Sequence, residues 1–556
     1  MPMPMRMGRT LRVVRTVALV AALSLLARVA GDAAPPASPI RTADLQSWLT
    51  YVSADELEGR ALFSSGLGLA AGYLADHLRE WGVQPAGDAG SYLQTVRILG
   101  VNATSRSSVT ISVGGQSRTF TDGAGVAFPS FVGGKRSFTI DRVEFAGYGL
   151  DAPAIAERDY ADRRMRGAAA IWLGSQGPKA ATSAMRRQLA GRSRYATDQL
   201  GAAAAITAAG PRETAPAPAG RQEGPDFTTA QRLDAPIAPH VTAGRDLLDF
   251  LFSRAPVPYR ELERRAEARE ALAPFTLDGV TMRFEIDADY EVVRTQLGHN
   301  VVGIVRGADP RLADTYVAFG AHYDHVGYAE GEVTRDGGGT RRAGAPGRVT
   351  PGAEDDRIWN GADDDGSGTV ALMALARAFA QGPRPHRSLL FVWHTGEERG
   401  LYGSRYFADH PTVRLDRVVA QLNVDMIGRN RDDDPAEADT VYLVGSDRIS
   451  TELHAINREA NAALARPLAL DYEMNDPSDP EQLYTRSDHY SYAAKGIPII
   501  FFTTGLHPDY HANTDEVSRI EFDKMSRIAQ MIYETGRRLA DLDHAPTRDN
   551  LGPRAY

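Results

Sequence analysis

NGADDDGSGTVALMALARAFAQGPRPHRSLLFVWHTGEE, Asn360–Glu398, is the stretch that decides the fold. Gly368–Gln381 has apolar residues at helical spacing, and Ser388–Val392 is a short buried strand. Acidic residues stand where the helix opens (Asp363, Asp364, Asp365) and just past the strand (Glu397, Glu398). The same rhythm continues on both sides. Strand-like runs occur at Asn300–Val305, Thr315–Gly320, Val418–Val424, Thr440–Val444 and Ile497–Thr503. Helical runs include Ile449–Leu464 and Phe522–Leu542. Strands alternating with helices predict an α/β domain with a largely parallel sheet. Gly327–Arg357 breaks the rhythm. It is Gly-rich, charged and nearly free of apolar residues, so a long loop is expected beside whatever follows His322.

Upstream, residues 41–100 read mainly as helix, with Leu67–Trp81 periodic and Gly82 as its stop. Val109–Val113, Phe138–Ile140 and Val143–Phe145 are expected to be short strands. Ala168–Leu173 reads as a buried strand, and Tyr195–Ala209 as a helix leading into a second one, Ala203–Thr207. Residues 210–232 have loop composition, and 244–275 are charged and helical in pattern. There is no internal repeat.

A chain of 556 residues exceeds one ordinary domain. The composition, 43% apolar and 24% charged, is globular, and a net charge of −9 offers no basic nucleic-acid surface. No cysteine is present, which excludes disulfides, thiolate metal sites, a cysteine nucleophile and a lipidated cysteine. Any metal must sit on His, Asp and Glu. At the N-terminus, Arg6, Arg9, Arg12 and Arg15 precede the apolar run Val17–Ala27, and small residues and Pro follow. This is the pattern of a secretory signal, cut after Gly31 or Ala33, and it is shorter than the roughly 20 residues a membrane span needs. The expectation is an exported protein, periplasmic or secreted, with no transmembrane helix after cleavage.

Five places carry chemistry. In Gly320-Ala-His-Tyr-Asp324 a strand end presents His322, and Asp324, two residues on, can accept the imidazole's other N–H. The triplet Asp363–Asp365 is tolerable if it is solvated, if it caps the helix, or if a cation sits within it. In His394-Thr-Gly-Glu-Glu398 neighbouring side chains diverge, so one glutamate can bind a metal while the other faces a metal-bound water. Asn423-Val-Asp425 closes another strand, and Tyr510-His511-Ala-Asn-Thr-Asp515 follows the last. Each alone is an ordinary cap, turn or packing residue. Together they fall at the C-terminal ends of strands, which share one edge of an open α/β sheet. Two histidines and several carboxylates gathered there suit two zinc ions about 3.5–4 Å apart.

The motifs GAHYDH, NGADDDGSG, HTGEERGLYGS, NVDMIG and PDYHANTD resemble those of the di-zinc aminopeptidases related to glutamate carboxypeptidase and the transferrin receptor. The resemblance covers about residues 295–540 and also Ala54–Arg60. It implies a mixed, mostly parallel sheet flanked by helices, formed by 41–104 and 291–543 after a signal peptide 1–33, with a tail 544–556. It also implies two Zn2+ per chain. His322 and Asp425 would complete one site, Glu398 and His511 the other, and Asp364 would bridge them. Glu397 would be the general base, Asp324 would orient His322, and the peptide Asp364–Asp365 would be cis. The region 105–290 is similar, more loosely, to an inserted β-rich protease-associated domain, through Phe145–Gly149, Gly167–Leu173 and Gly201–Thr207. The implied activity is removal of a terminal residue from a peptide, as an aminopeptidase. The rivals are a carboxypeptidase using Arg486 or Arg429, a non-catalytic binding protein and a single-zinc cyclising transferase. Arg486, Asp488 and Tyr490 are candidates for the substrate pocket, whereas His394, Tyr402 and His489 are expected to be structural.

Overall fold

The computed structural model describes Met1 and residues 39–550, except 153–154, 156, 210–224, 337–338, 346, 478 and 480. The expected export segment 1–33, part of the 210–232 loop and the end of the tail lie outside the described residues. Among the described residues no helix is long and apolar enough to cross a membrane.

Two ten-stranded sheets organise the chain. The first runs in the order Asp226–Thr228, Leu93–Ser105, Ala288–Val305, Ser388–His394, Tyr316–His322, Val418–Val424, Ile499–Thr503, Thr440–Val444, Ala469–Asp471, with Gln84–Pro85 beside Ala288–Val305. Its four central strands, from Ser388–His394 to Ile499–Thr503, are mutually parallel. The pairs on one side, and the Thr440–Val444 pair with Ile499–Thr503, are antiparallel. The sheet is therefore mixed, and parallel pairing is confined to the centre plus the last edge pair. Both faces of the centre are covered. Phe319, Ala321, Phe391 and Leu422 pack with the helices Thr42–Val52, Gly368–Gln381 and Phe522–Asp541, while Ala318, Leu390 and Val392 pack with Phe407 and Tyr492. Double coverage is why these strands are nearly unbroken apolar runs.

The second sheet is built from strands between Ser108 and Ile286. The chain leaves the first sheet along Leu93–Ser105 and returns along Ala288–Val305, which pair antiparallel from Ala288↔Ser105 to Val301↔Leu93. This corrects the helical reading of 41–100. Helices occupy Thr42–Val52 and Ser65–Glu80, but Leu93–Ser105 is a strand. Its alternation (Gln94, Val96 and Ile98 buried, Arg97 exposed) is the strand signal, and its long-range partner decides the outcome. Within Tyr195–Ala209, a π-helical turn Tyr195–Gln199 continues the helix Ser183–Arg194 and leads into the strand Ala204–Ala208, one residue from the expected strand. The 327–357 segment is a long excursion with a short hairpin, Val333–Asp336 against Gly339–Arg342. It lies against the loop that carries His511. The Arg348 N–H donates to the His511 carbonyl, and its guanidinium donates to the carbonyls of Pro508 and Tyr510.

Candidate metal centre

Parallel pairing sets His322 level with His394 in register, so the turns after both strands open on the same edge. Asp425 follows the neighbouring strand Val418–Val424, and the Ile499–Thr503 strand leads to His511. Asp364 comes from the opposite direction, in the turn that opens the helix Gly368–Gln381.

The acidic triplet divides its labour. Asp363, Asp364 and Asp365 are all buried, which removes the solvated-cap reading. Asp365 accepts from the backbone N–H groups of His322 (3.1 Å), Gly368 (2.9 Å) and Met426 (3.2 Å), tying three elements together. Asp363 accepts from the Gly428 N–H (2.6 Å) and lies 3.3 Å from His507 Nε2. Asp515 accepts from the N–H groups of Asp363 and Asp364. Asp364 turns its carboxylate to two other histidines: Oδ1 is 3.3 Å from His322 Nε2 and Oδ2 is 3.1 Å from His511 Nε2. The peptide Asp364–Asp365 is cis.

Around this carboxylate, His322 Nε2 lies 3.7 Å from Asp425 Oδ1, and His511 Nε2 lies 3.0 Å from Glu398 Oε2. Two donor atoms bonded at roughly 2.0–2.1 Å to one tetrahedral zinc stand about 3.3 Å apart. Two trios, His322–Asp364–Asp425 and His325–Asp364–Glu398, each offer atoms within 4.8 Å of one another. His325 Nδ1 lies 2.8 Å from Glu398 Oε1, yet neither atom is directed into a hydrogen bond. Buried donors and acceptors left without partners in a thiol-free set of imidazoles and carboxylates fit a divalent cation.

Charge is concentrated here. In the protein groups alone, burial, reinforced by Glu398 and Asp425 and opposed by His322, pushes the Glu397 carboxyl well above its ordinary value. Burial also opposes ionisation of Asp364, but His322 and His511 overcome it and hold that carboxyl well below its ordinary value. These are the signs expected of acids gathered around imidazoles in a desolvated cluster.

Some expected contacts differ. His322 Nδ1 is 3.0 Å from the main-chain carbonyl of Asp324, not bonded to its carboxylate, which is 3.8 Å away. That carboxylate accepts the N–H of Glu397 (3.1 Å) and, at 3.4 Å, of Glu398. Asp324 thus positions the two glutamates, and its carbonyl orients the imidazole. Arg486 and Tyr510 line the pocket with the acids and histidines, bonded to each other at 3.1 Å. Asp488 and Tyr490 do not. Asp488 is buried 3.3 Å from His394 Nδ1, and Tyr490 borders a separate cavity with Tyr195, Arg448 and Tyr484. The reason is helical. The chain enters the helix His489–Ala493 here, so successive side chains diverge by about 100°. Ser487 faces the centre, donating to Asp425 Oδ2 at 2.6 Å. Arg429 is committed to Asp433 and Asp509. His394, Tyr402 and His489 are structural: they bond to Tyr492 Oη, to the Phe227 carbonyl and to the Tyr484 carbonyl.

Three residues were missed in the sequence. His325 directly follows Asp324 in GAHYDH, and Ser487 precedes Asp488. Arg60 closes ADELEGR. It is fully buried, and its guanidinium donates to the carbonyls of Val52, Tyr323 (3.0 Å), Asn360 (2.7 Å) and Gly361 (2.9 Å). It pins the loops carrying Asp324 and the acidic triplet. Arg60→Met would orphan four carbonyls at about 1 kcal/mol or more each, so a loss of roughly 3–5 kcal/mol is expected in chemical denaturation. An unchanged midpoint would remove Arg60 from this role.

This mixed sheet, with buried imidazoles and carboxylates on one edge, is a domain of the zinc-exopeptidase type. Residues 300–536 match the model of peptidase family M28. Leucine aminopeptidase 1 of Trichophyton equinum is 25% identical over 244 residues, covering 42% of this chain and 56% of the relative. The chain thus spans little more than half the length of that relative. Among solved structures, the aminopeptidase from Aneurinibacillus sp. strain AM-1 aligns over 92% of this chain and 95% of its own, with 18% identity and a TM-score of 0.43. A zinc aminopeptidase from Bacillus subtilis aligns over 90% and 95%, with 17% identity and a TM-score of 0.41.

Proposed function

We propose that this protein is an exported zinc aminopeptidase that removes the N-terminal residue of peptides. The observation that carries the reading is one buried carboxylate, Asp364, shared by two imidazole–carboxylate groups with coordination-sized spacings. His322 and Asp425 would hold one zinc, Glu398 and His511 the second, and Asp364 both. His325 would support Glu398 from behind. Zinc in such a site supplies a Lewis acid that brings the pKa of water toward neutrality and polarises a carbonyl.

Glu397 is the base. It accepts a proton from the attacking water as the C–O bond forms, then delivers that proton to the amine as the C–N bond breaks. Its raised proton affinity suits both halves of this shuttle. Asp324 holds the Glu397 backbone, and Ser487 steadies Asp425. The match of residues 300–536 to peptidase family M28 and the similarity to a leucine aminopeptidase support peptide hydrolysis from the N-terminus. Export is supported by the Arg-rich, then apolar, N-terminal segment. The second sheet is proposed to be a protease-associated-type insert, with Phe145-Ala-Gly-Tyr-Gly149 its best-matching motif.

The zinc-loaded protein is expected to hydrolyse leucine p-nitroanilide and to lose at least 99% of that rate, on the order of 3 kcal/mol in transition-state energy, on N-acetylated substrate. Equal rates on both would remove recognition of a free amine. Turnover of blocked peptides from the C-terminus would favour the carboxypeptidase, with Arg486 as the carboxylate partner.

A further inference from the structure

A cavity of about 900 Å³ lies between the two sheet domains. It is contiguous with the metal pocket, because Arg486, Leu506 and Tyr510 line both. One wall comes from the insert: Arg194, at the end of the helix Ser183–Arg194, Asp198, and Arg232 in the short helix Ala230–Asp234. Arg405 faces them from the helix Tyr402–Asp409, which begins just beyond Glu398. Arg232 and Arg405 also share a second hollow of about 160 Å³, so their side chains are flanked by open space on two sides.

Most charges lining this cavity are already engaged. Arg486 is bonded to Glu481 and Tyr510, Arg348 to the carbonyls of Pro508 and Tyr510, and His507 faces Asp363. Asp432 is an exposed acid 3.8 Å from Arg431. Arg194, Arg232 and Arg405 differ. Among the described residues, none of the three guanidiniums has an ion pair or hydrogen bond. Asp198, which lines the same cavity, accepts the Thr197 hydroxyl. Burial and the repulsion of Arg232 and Arg194 lower the proton affinity of Arg405, to a pKa of about 10. Arg232 and Arg405 are half-buried and Arg194 is exposed beside them; half-buried cations without anions are costly for a fold, and planar guanidiniums match carboxylates in bidentate geometry.

We infer that Arg194, Arg232 and Arg405 form an anion subsite that receives a carboxylate carried by the leaving part of the peptide. The inference rests on the aminopeptidase reading. The α-amine end lies at the metal pocket, and the chain beyond the scissile bond extends into the large cavity, whose volume accommodates several residues. The carboxylate is either the C-terminus of a short peptide or an acidic side chain downstream of the bond.

Two peptide pairs separate these sources: Leu-Ala-Ala as free acid or amide, and Leu-Ala-Glu-Ala-amide against Leu-Ala-Gln-Ala-amide. A preference of about tenfold in kcat/KM for the anionic member is expected in at least one pair, as for a charge-assisted hydrogen bond. The pair that shows it names the source. Arg405→Gln and Arg232→Gln should each reduce that preference below about twofold while leaving turnover of leucine p-nitroanilide, which lacks a downstream anion, unchanged. Calorimetric titration of the same peptides into zinc-loaded Glu397→Gln protein gives a readout independent of turnover. No preference in either pair, by rate or by binding, overturns the subsite, as does a preference that survives in both arginine variants. If the wild type fails on leucine p-nitroanilide, the aminopeptidase reading falls, while the calorimetric preference still decides the anion site.

Discussion

Glu397→Gln is expected to keep two zinc ions per chain and to lose about 10²–10⁴-fold in kcat, the range that a positioned general base supplies. The substitution preserves shape. The backbone N–H of Glu397 still donates to Asp324, whose carboxylate also accepts from Glu398. No proposed ligand is touched, because Glu397 belongs to neither imidazole–carboxylate trio around Asp364. What disappears is a buried carboxyl whose proton affinity is raised by desolvation and by Glu398 and Asp425. An amide can accept a hydrogen bond from water but cannot take and return its proton. The checks are kcat on leucine p-nitroanilide and zinc by mass spectrometry on the same preparation. Full turnover with full metal would remove Glu397 from the proton path. Loss of metal together with rate would make it a ligand instead.

Asp364→Asn is expected to reduce bound zinc from two ions to fewer than one per chain and to abolish turnover. Its carboxylate lies 3.3 Å from His322 Nε2 and 3.1 Å from His511 Nε2, so neutralising it weakens both sites together. Stability supplies a second readout. A ligand that binds only the folded state at a thousand times its Kd stabilises it by about 4 kcal/mol. Chelation should therefore lower the wild-type thermal midpoint by several degrees and leave Asp364→Asn unmoved. An Asp364→Asn protein that still holds two ions would show that the carboxylate is not shared.

Much of the site was legible because its residues sit at strand ends. Strand ends can be read from short apolar runs such as Ser388–Val392 and Val418–Val424, which the fold reproduces to within two residues. Doubly covered central strands carry their burial in composition, so no partner need be known. The strands Leu93–Ser105 and the first half of Ala288–Val305 lack that signal. They are partly exposed, and each is stabilised mainly by the other across nearly two hundred residues.

Local chemistry was therefore written in the chain: which residue types could hold a cation, that three adjacent acids precede a helix, and that the strands alternate with helices. Tertiary structure decided how those residues are spent. It assigned Asp363 and Asp365 to backbone N–H groups and left Asp364 for the imidazoles. It also gave Asp324 to the glutamates, drew His325 and Arg60 into the centre, and turned Asp488 and Tyr490 away. A carboxylate's partner depends on which donors reach it through space, and burial makes each unpaired donor or acceptor costly enough to settle the choice. That information resides in the packing of distant segments, not in the spacing of neighbours.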